Sequence, residues 1–440
     1  MHDSVKQHSH EAVDSQMKHE ESTMPDPHKF AKGDWGLTAK LSGLFSIRML
    51  GIFIILPIYS LYTQQLGGTT PLLAGLFISS YALTQIILQP LFGALSDHFG
   101  RKITITIGMA LFVIGSLMIA FTDSIYLAIW GRVVQGAGAV SAVVLAFTSD
   151  VVREEIRGKT MAFIGISIGL TFGLAIFISP IIYGYWGGMG IFLLCAILGL
   201  IAIYVTLQHL PKSEQHTENR KKARQPILKN VKAAWSNGDI NRLYLGAFML
   251  HLTLTLGFTI FPWILEQEGF LPQDSWKIYL PGFFIAIFLI FPAVGVAERF
   301  RQFRIFFLLA IGSLIVAMLA LIFVKGYALL LLFMTIFFWG FNMMEAMQPS
   351  LMSRLAPTHN RGMVMGFFSS SQFLGASIGG IVASVIYGYY SLMPVLLVGA
   401  GLLAIWFVIA IPMKNPQKRV ETEDDKEAEI ETLVASEEAL

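Results

Sequence analysis

Long apolar stretches alternate with short polar ones along the whole chain. A membrane-spanning helix needs about 20 mostly apolar residues. Twelve stretches meet that need, beginning near Leu41, Pro71, Ile103, Ile125, Met161, Met189, Arg242, Ile278, Ile305, Tyr327, Met363 and Leu392. Three polar blocks stand apart from them: a head at 1–40, a middle segment at 211–240 and a tail at 413–440. The remaining residues allow 28.5 per span, enough for one helix and a short loop each. The pattern therefore predicts an all-α membrane protein with bundles at 41–210 and 241–412, joined by a basic linker.

Composition agrees with lipid as the main solvent. Of 440 residues, 55% are hydrophobic and 14% charged, against roughly a quarter charged in a soluble domain. Mean hydropathy is +0.63. The single cysteine, Cys195, lies in an apolar run, which excludes a disulfide framework and a Cys-based metal site. No cofactor and no metal are expected. A net charge of +2 gives no reason to expect nucleic acid. The head carries His2, His8, His10, His19 and His28 at irregular spacing and no apolar run, so it reads as hydrated and disordered, neither signal peptide nor metal site. The tail, with nine Asp or Glu from Glu421 to Glu438, reads as exposed and weakly helical.

Lys and Arg set the orientation of membrane helices, being enriched on the cytoplasmic side. Of 31 such residues, 27 fall in the head, the middle segment, the tail and the loops after spans two, four, eight and ten. The opposite loops hold only Lys277 and Lys325, and Arg48 and Arg132 lie within spans. Both termini are thus expected in the cytoplasm. The halves also echo each other. Arg157, Gly158, Met161 and Phe163 recur as Arg361, Gly362, Met365 and Phe367, and Pro90 and Gly93 recur as Pro292 and Gly295. Duplicated bundles of this kind rock about a central site and expose it to each side in turn.

The segment from Gly93 to Lys102, reading G-A-L-S-D-H-F-G-R-K between spans two and three, is the most specific motif. It resembles the signature loop of the major facilitator superfamily. A second match is Gly131 to Gly138 in span four, G-R-V-V-Q-G-A-G, which resembles the motif whose arginine is associated with proton coupling. Further segments, F-S-I-R-M-L-G from Phe45, M-A-F-I-G from Met161, F-N-M-M-E-A-M-Q-P-S from Phe341 and S-Q-F-L-G from Ser371, are similar to the YajR-type transporters of the drug:proton antiporter branch. The likeness covers roughly residues 40 to 412. It implies the major facilitator fold of twelve helices in two pseudo-symmetric bundles, and a transporter in place of an enzyme. Transporters of that type end in an additional soluble domain, where this sequence has the acidic tail, so regulation by such a domain is not expected.

The resemblance also implies roles. Asp97 and Arg101, with Gly93, Gly100 and Lys102, would latch the halves in the outward-open state against span eleven at Gly362, and Asp150, Arg153 and Arg157 would extend that network. The glycines would let two helices meet closely. Span five keeps Gly165, Gly169 and Gly173, but its antiporter core reads Ser179, Pro180, Ile181, Ile182, Tyr183, Gly184. That departure keeps import of a siderophore or nutrient, or lipid flipping, open beside export.

Ionisable groups inside a bilayer cost at least about 2.5–3.5 kcal/mol and so mark partners or function. Glu345, in span ten beside Asn342, can gain or lose a proton as water leaves or reaches it, and is the first candidate for coupling. Its alternative is a structural ion pair with Arg48 or another cation. His251 near the middle of span seven carries an imidazole, the side chain suited to change charge near neutral pH, or is a packing residue. Arg132 is placed two turns from the outer end of span four. Arg48 is placed two turns from the cytoplasmic end of span one, within snorkelling reach, where anchoring and coupling are both open. Tyr81, Gln85, Gln89, Gln135, Trp263, Trp339, Asn342 and Gln372 are candidate lining residues for a small amphipathic organic substrate. With no G-x-x-x-x-G-K-[ST] loop for ATP, the driving force is expected to be ionic. The reading is a monomeric, proton-coupled exporter of the bacterial inner membrane, with a small molecule, protons and the lipid bilayer as its partners.

Overall fold

The computed structural model describes residue 30 and residues 32–211, 235, 237–299, 302–356 and 361–413. The histidines of the head, most of the basic middle segment and the acidic tail lie outside the described residues. Nearly everything described is helical. Span one is Lys32–Phe53 continued by Tyr59–Gln64; spans two and three are Pro71–Phe99 and Arg101–Ala120; span four is Ile125–Ala137 continued by Ser141–Val151. Glu154–His209 runs as one element of 56 residues, roughly 84 Å at 1.5 Å per residue, far beyond a bilayer. It folds back at Gly187, whose φ of +61° is a left-handed conformation that glycine adopts without strain. Residues 154–186 and 188–209 are therefore spans five and six. Gly238–Gln267, Trp276–Arg299, Phe303–Ala320, Tyr327–Leu355, Arg361–Tyr389 and Leu392–Ala410 are spans seven to twelve. An even number returns the chain to the face it started from, here called the terminal face.

Several helices start before their apolar windows: span one at Lys32 instead of Leu41, span five at Glu154 instead of Met161. A backbone ladder continues past the lipid boundary wherever its polar turns find water or partners, so hydropathy marks the membrane and not the helix. Large apolar residues such as Phe288, Phe291 and Phe323 stand more than 70% exposed on the outside of the bundle. Lipid is the solvent that such a surface requires.

The helices sort into two six-helix bundles. In the first, span three packs on spans four and six, and span two on span four; in the second, span seven packs on span eleven and span ten on spans eight and nine. Between bundles the main contacts are span two with span eleven and span five with span eight. Under the sequence echo, two corresponds to eight and five to eleven, so one interface is the image of the other.

Candidate functional site

The seam between bundles is closed at one end only. Spans two and eleven meet where Ser79 Oγ donates to the Ser377 carbonyl at 2.5 Å. A Cβ on Gly75 would lie 2.7 Å from Ile381 Cα, and one on Gly388 2.2 Å from Pro71. Tyr59 and Thr259 join their hydroxyls across the seam. Span five meets span eight where a Cβ on Gly173 would lie 2.6 Å from Phe283. Gly169 and Gly165 lie on the same face as Gly173, one and two turns toward the terminal face, and nothing stands within 4 Å of either. Gly93 of span two and Gly366 of span eleven are equally open. The seam is thus a wedge, sealed away from the termini and open toward them.

An aromatic plug forms its roof. Phe172 of span five sits 5.2 Å from Phe53 of span one and 5.5–6.5 Å from Phe258, Phe283, Phe338 and Phe341 of the other bundle. Nothing in the sequence singled these rings out, since phenylalanine is spread along the whole chain.

Beside the plug, 6.2 Å from the Phe341 ring, lies His251. Its Nε2 is 3.8 Å from Glu345 Oε2, and its Nδ1 is 3.1 Å from the Ala247 carbonyl one turn back. A carbonyl only accepts, so Nδ1 donates to it and Nε2 is the nitrogen turned toward the carboxylate. The two leading coupling candidates, 94 residues apart in sequence, thus form one acid–imidazole pair. Glu345 Oε2 has no hydrogen-bond partner, while the side chain as a whole is 38% exposed. Arg48 is not its counter-ion. Asn342 turns back to donate to the Phe338 carbonyl at 2.8 Å.

The other bundle buries two arginines. Arg48 lies 16 residues after the start of span one, about 24 Å along the helix, and is 1% exposed. It does not reach out to the membrane surface; its guanidinium is turned into the bundle, over the Tyr81 ring. Spans one and four are both broken here, and each arginine serves the other span's break. In span four, Ala139 and Val140 bond back to Ala137 and Gly138 instead of continuing the α ladder. The Gly138 carbonyl accepts from Arg48 Nε at 2.9 Å and the Gly136 carbonyl from Gln85 Nε2 at 2.5 Å. In span one the ladder passes from Leu50 to Phe53, before Pro57, and the Gly51 carbonyl accepts from Arg132 Nη1 at 3.2 Å. Arg132 Nη1 also donates to Gln135 Oε1 at 2.6 Å, and Gln135 to Ser116 Oγ at 2.8 Å. Tyr81 lies between the guanidiniums, its ring centre 4.7 Å from Arg48 Cζ and 4.4 Å from Arg132 Cζ. Tyr81, Gln85 and Gln135 are buried parts of this cluster.

The glycines of the span-four motif make these contacts possible. A Cβ on Gly136 would lie 2.6 Å from the Tyr81 carbonyl and one on Gly138 2.1 Å from the Gly108 carbonyl. By contrast a Cβ on Gly93 would meet nothing within 4 Å among the described residues, and Gly100 serves the turn between spans two and three with a φ of +94°. Among the described residues the close helix contact expected of Gly93 is absent with the wedge open.

Several contacts of the expected latch residues lie inside one bundle. Arg101 pairs with Asp150 at 2.8 Å and donates to Ser96 Oγ at 2.6 Å; Arg153 pairs with Asp34 at 2.5 Å. Lys102 instead caps span six, donating to the Leu207 and Leu210 carbonyls at 3.1 and 2.8 Å. Arg157 has a buried Nε with no partner among the described residues. The side chain of Asp97 and the surroundings of Gly362 lie outside the described residues.

The remaining lining candidates scatter. Gln89 and Gln372 are half-buried on spans two and eleven. Trp263 stacks on Tyr387, 5.5 Å between centres, beside a cavity of about 240 Å³ at the sealed end of the seam. That cavity is lined by hydroxyls of both bundles, among them Ser60, Thr63, Thr259 and Ser384. Trp339 lies in an apolar groove among spans eight, nine and ten, away from the seam, because its helix turns that face outward. Among the described residues no group of three or more metal-ligating side chains occurs.

The sequence profile of the Major Facilitator Superfamily matches residues 41–379 and, overlapping, 282–437. The chain is 37% identical over 390 residues to the inner membrane transport protein YajR of Escherichia coli strain K12, covering 88% of this chain and 86% of that one. It is 26% identical over 374 residues to the quinolone resistance protein NorA of Staphylococcus aureus strain MSSA476, covering 82% and 92%. Among solved structures, the nucleoside transporter NupG superposes with a TM-score of 0.67 at 16% identity, covering 86% of this chain and 98% of that one.

Proposed function

The chain belongs to the major facilitator superfamily of membrane transporters, and on that premise we propose that it exports a small amphipathic organic compound across the bacterial inner membrane in exchange for protons. The observation that carries the proposal is the His251–Glu345 pair at the roof of the wedge. With Nδ1 committed to the Ala247 carbonyl, proton uptake by the pair occurs at Nε2 or at the Glu345 carboxyl. Either site faces the seam through which a substrate passes. Substrate binding at the seam favours one protonation state of the pair, and reprotonation favours release, which ties each swing of the bundles to the proton gradient. The likeness to a quinolone resistance protein supports export. The excess of Lys and Arg on the terminal face supports a cytoplasmic location for both termini, which makes the wedge the inward-open state. In the opposite state Asp97 and Arg101 would latch span two to span eleven near Gly362. The single set of twelve spans supports a monomer as the working unit.

Spin labels placed across the mouth of the wedge test the coupling without knowledge of the substrate. Between about pH 5 and pH 8, the range over which imidazole changes charge, the open fraction of the wild type should change. In Glu345→Gln that change should shrink or shift, since the amide keeps the shape and leaves only His251 to take up a proton. A profile in Glu345→Gln identical to that of the wild type would retire the pair as the coupling group. Inverted vesicles loaded with quinolones assign direction: accumulation on acidifying the interior supports exchange export, and proton-driven loss of preloaded compound supports import.

A further inference from the structure

The buried arginine cluster holds more hydrogen-bond donors than the protein fills. Arg48 Nη1 and Nη2, Arg132 Nε and the Tyr81 hydroxyl are all buried with no partner, although Arg48, Arg132 and Tyr81 are each 1% exposed. Among the described residues no carboxylate pairs with either arginine. Their guanidinium carbons are no more than about 9 Å apart, as the two distances to the shared Tyr81 ring require. Two like charges thus stand together in a dry site, and unpaired buried charge is what proteins otherwise avoid. The ring face of Tyr81 offsets part of this but accepts none of the in-plane N–H groups.

Packing alone does not account for the surplus. Capping the break in span four takes one N–H of Arg48, and capping the break in span one takes one nitrogen of Arg132. A lysine or a glutamine would reach a carbonyl without bringing a rigid fork of further donors. The unfilled edge of Arg48 is of the planar, two-pronged kind that matches a carboxylate. Position also fits a substrate path. Gly51, whose carbonyl Arg132 holds, is two residues from Phe53 of the aromatic plug, and the cluster belongs to the bundle opposite the one that carries His251 and Glu345.

We propose that Arg48, Arg132 and Tyr81 form a receptor for one anionic, carboxylate-like group of the transported molecule. The substrate class is then an organic anion or zwitterion with an apolar body: the head reaches the free Arg48 Nη1 and Nη2, and the body lies against Phe53 and Phe172. This rests on the reading of the seam as the substrate path, and it deepens that reading by naming the chemistry of the substrate.

The test uses the full chain in lipid nanodiscs with formate as the minimal carboxylate and formamide as its neutral counterpart, at constant ionic strength. Formate should raise the unfolding temperature saturably and formamide should not. Arg48→Lys keeps the charge and loses the fork, and should weaken the apparent formate affinity about tenfold to a hundredfold, the equivalent of one or two charge-assisted hydrogen bonds. Should that variant fail to fold, the wild type decides alone. Carbon-13 formate should then dephase against nitrogen-15 in arginine side chains by solid-state magnetic resonance at the concentration that saturates the thermal shift. Absence of a saturable formate effect, an equal effect of formamide, unchanged affinity in Arg48→Lys, or no dephasing each overturns the site. Glu345→Gln should retain formate binding. Loss of formate binding in the wild type alongside an intact pH response would remove the anion site and leave the exporter standing, and the reverse result would remove proton exchange and leave the site.

Discussion

Gly75→Ala perturbs the sealed end of the seam by one methyl group. Its Cβ would lie 2.7 Å from Ile381 Cα and 3.2 Å from the Gly380 carbonyl, where ordinary contact begins at 3.4 Å. Both obstacles are backbone, so no side chain can swing aside, and spans two and eleven must part by about 0.7 Å. Overpacking of this kind costs about 1–3 kcal/mol, and the cost falls only on the state in which the two helices touch there. The equilibrium should therefore move toward the state open away from the termini by about 5- to 150-fold. Cys195 is buried and can be replaced by Ala, leaving a single reporter thiol from Ser384→Cys on the wall of the cavity at the sealed end. Maleimide applied from that face should label the reporter faster in the Gly75→Ala background by a comparable factor. Equal or slower labelling would mean that the Gly75 contact does not hold the seam shut.

Other substitutions separate packing from motion. Gly138→Ala would place a methyl group 2.1 Å from the Gly108 carbonyl and should cost about 3 kcal/mol or more, read as a lost or sharply lowered unfolding transition. Gly93→Ala meets open space and should leave the transition unchanged or stabilise it by up to about 1 kcal/mol. Lys102→Met removes two caps from the end of span six and should cost about 1 kcal/mol, visible in denaturant unfolding, with no change in the open fraction of the wedge. Asp97→Asn should slow the interconversion of states, measured by spin-label exchange, without weakening ligand binding; an equal loss of binding would displace the latch from this residue.

The spans were legible because lipid demands uninterrupted apolar stretches, and a single window of residues carries that demand. The breaks in spans one and four were not. Their Gly, Ala and Pro residues are compatible with a tightly packed helix, and only the neighbouring spans decide which carbonyls go unbonded. The burial of Arg48 was not legible, because which spans close over a side chain depends on how the bundle packs. Glu345 and His251 each stood out as an ionisable group among apolar neighbours. Their meeting depends on how spans seven and ten pack, which no local pattern records. Gln85 and Gln135 looked like lining residues because a polar group in a membrane helix suggests a water-filled path; they satisfy backbone carbonyls and other side chains instead.

The two broken helices and their two arginines form a closed exchange, in which each span supplies what the other's interruption leaves unmet. Mending either interruption alone costs its arginine a partner: a continuous span four would take the Gly138 carbonyl from Arg48, and a continuous span one would leave Arg132 with Gln135. Such a set can only be inherited whole or discarded whole. Grafting span four of a relative into this chain should therefore succeed when span one travels with it and fail when it does not.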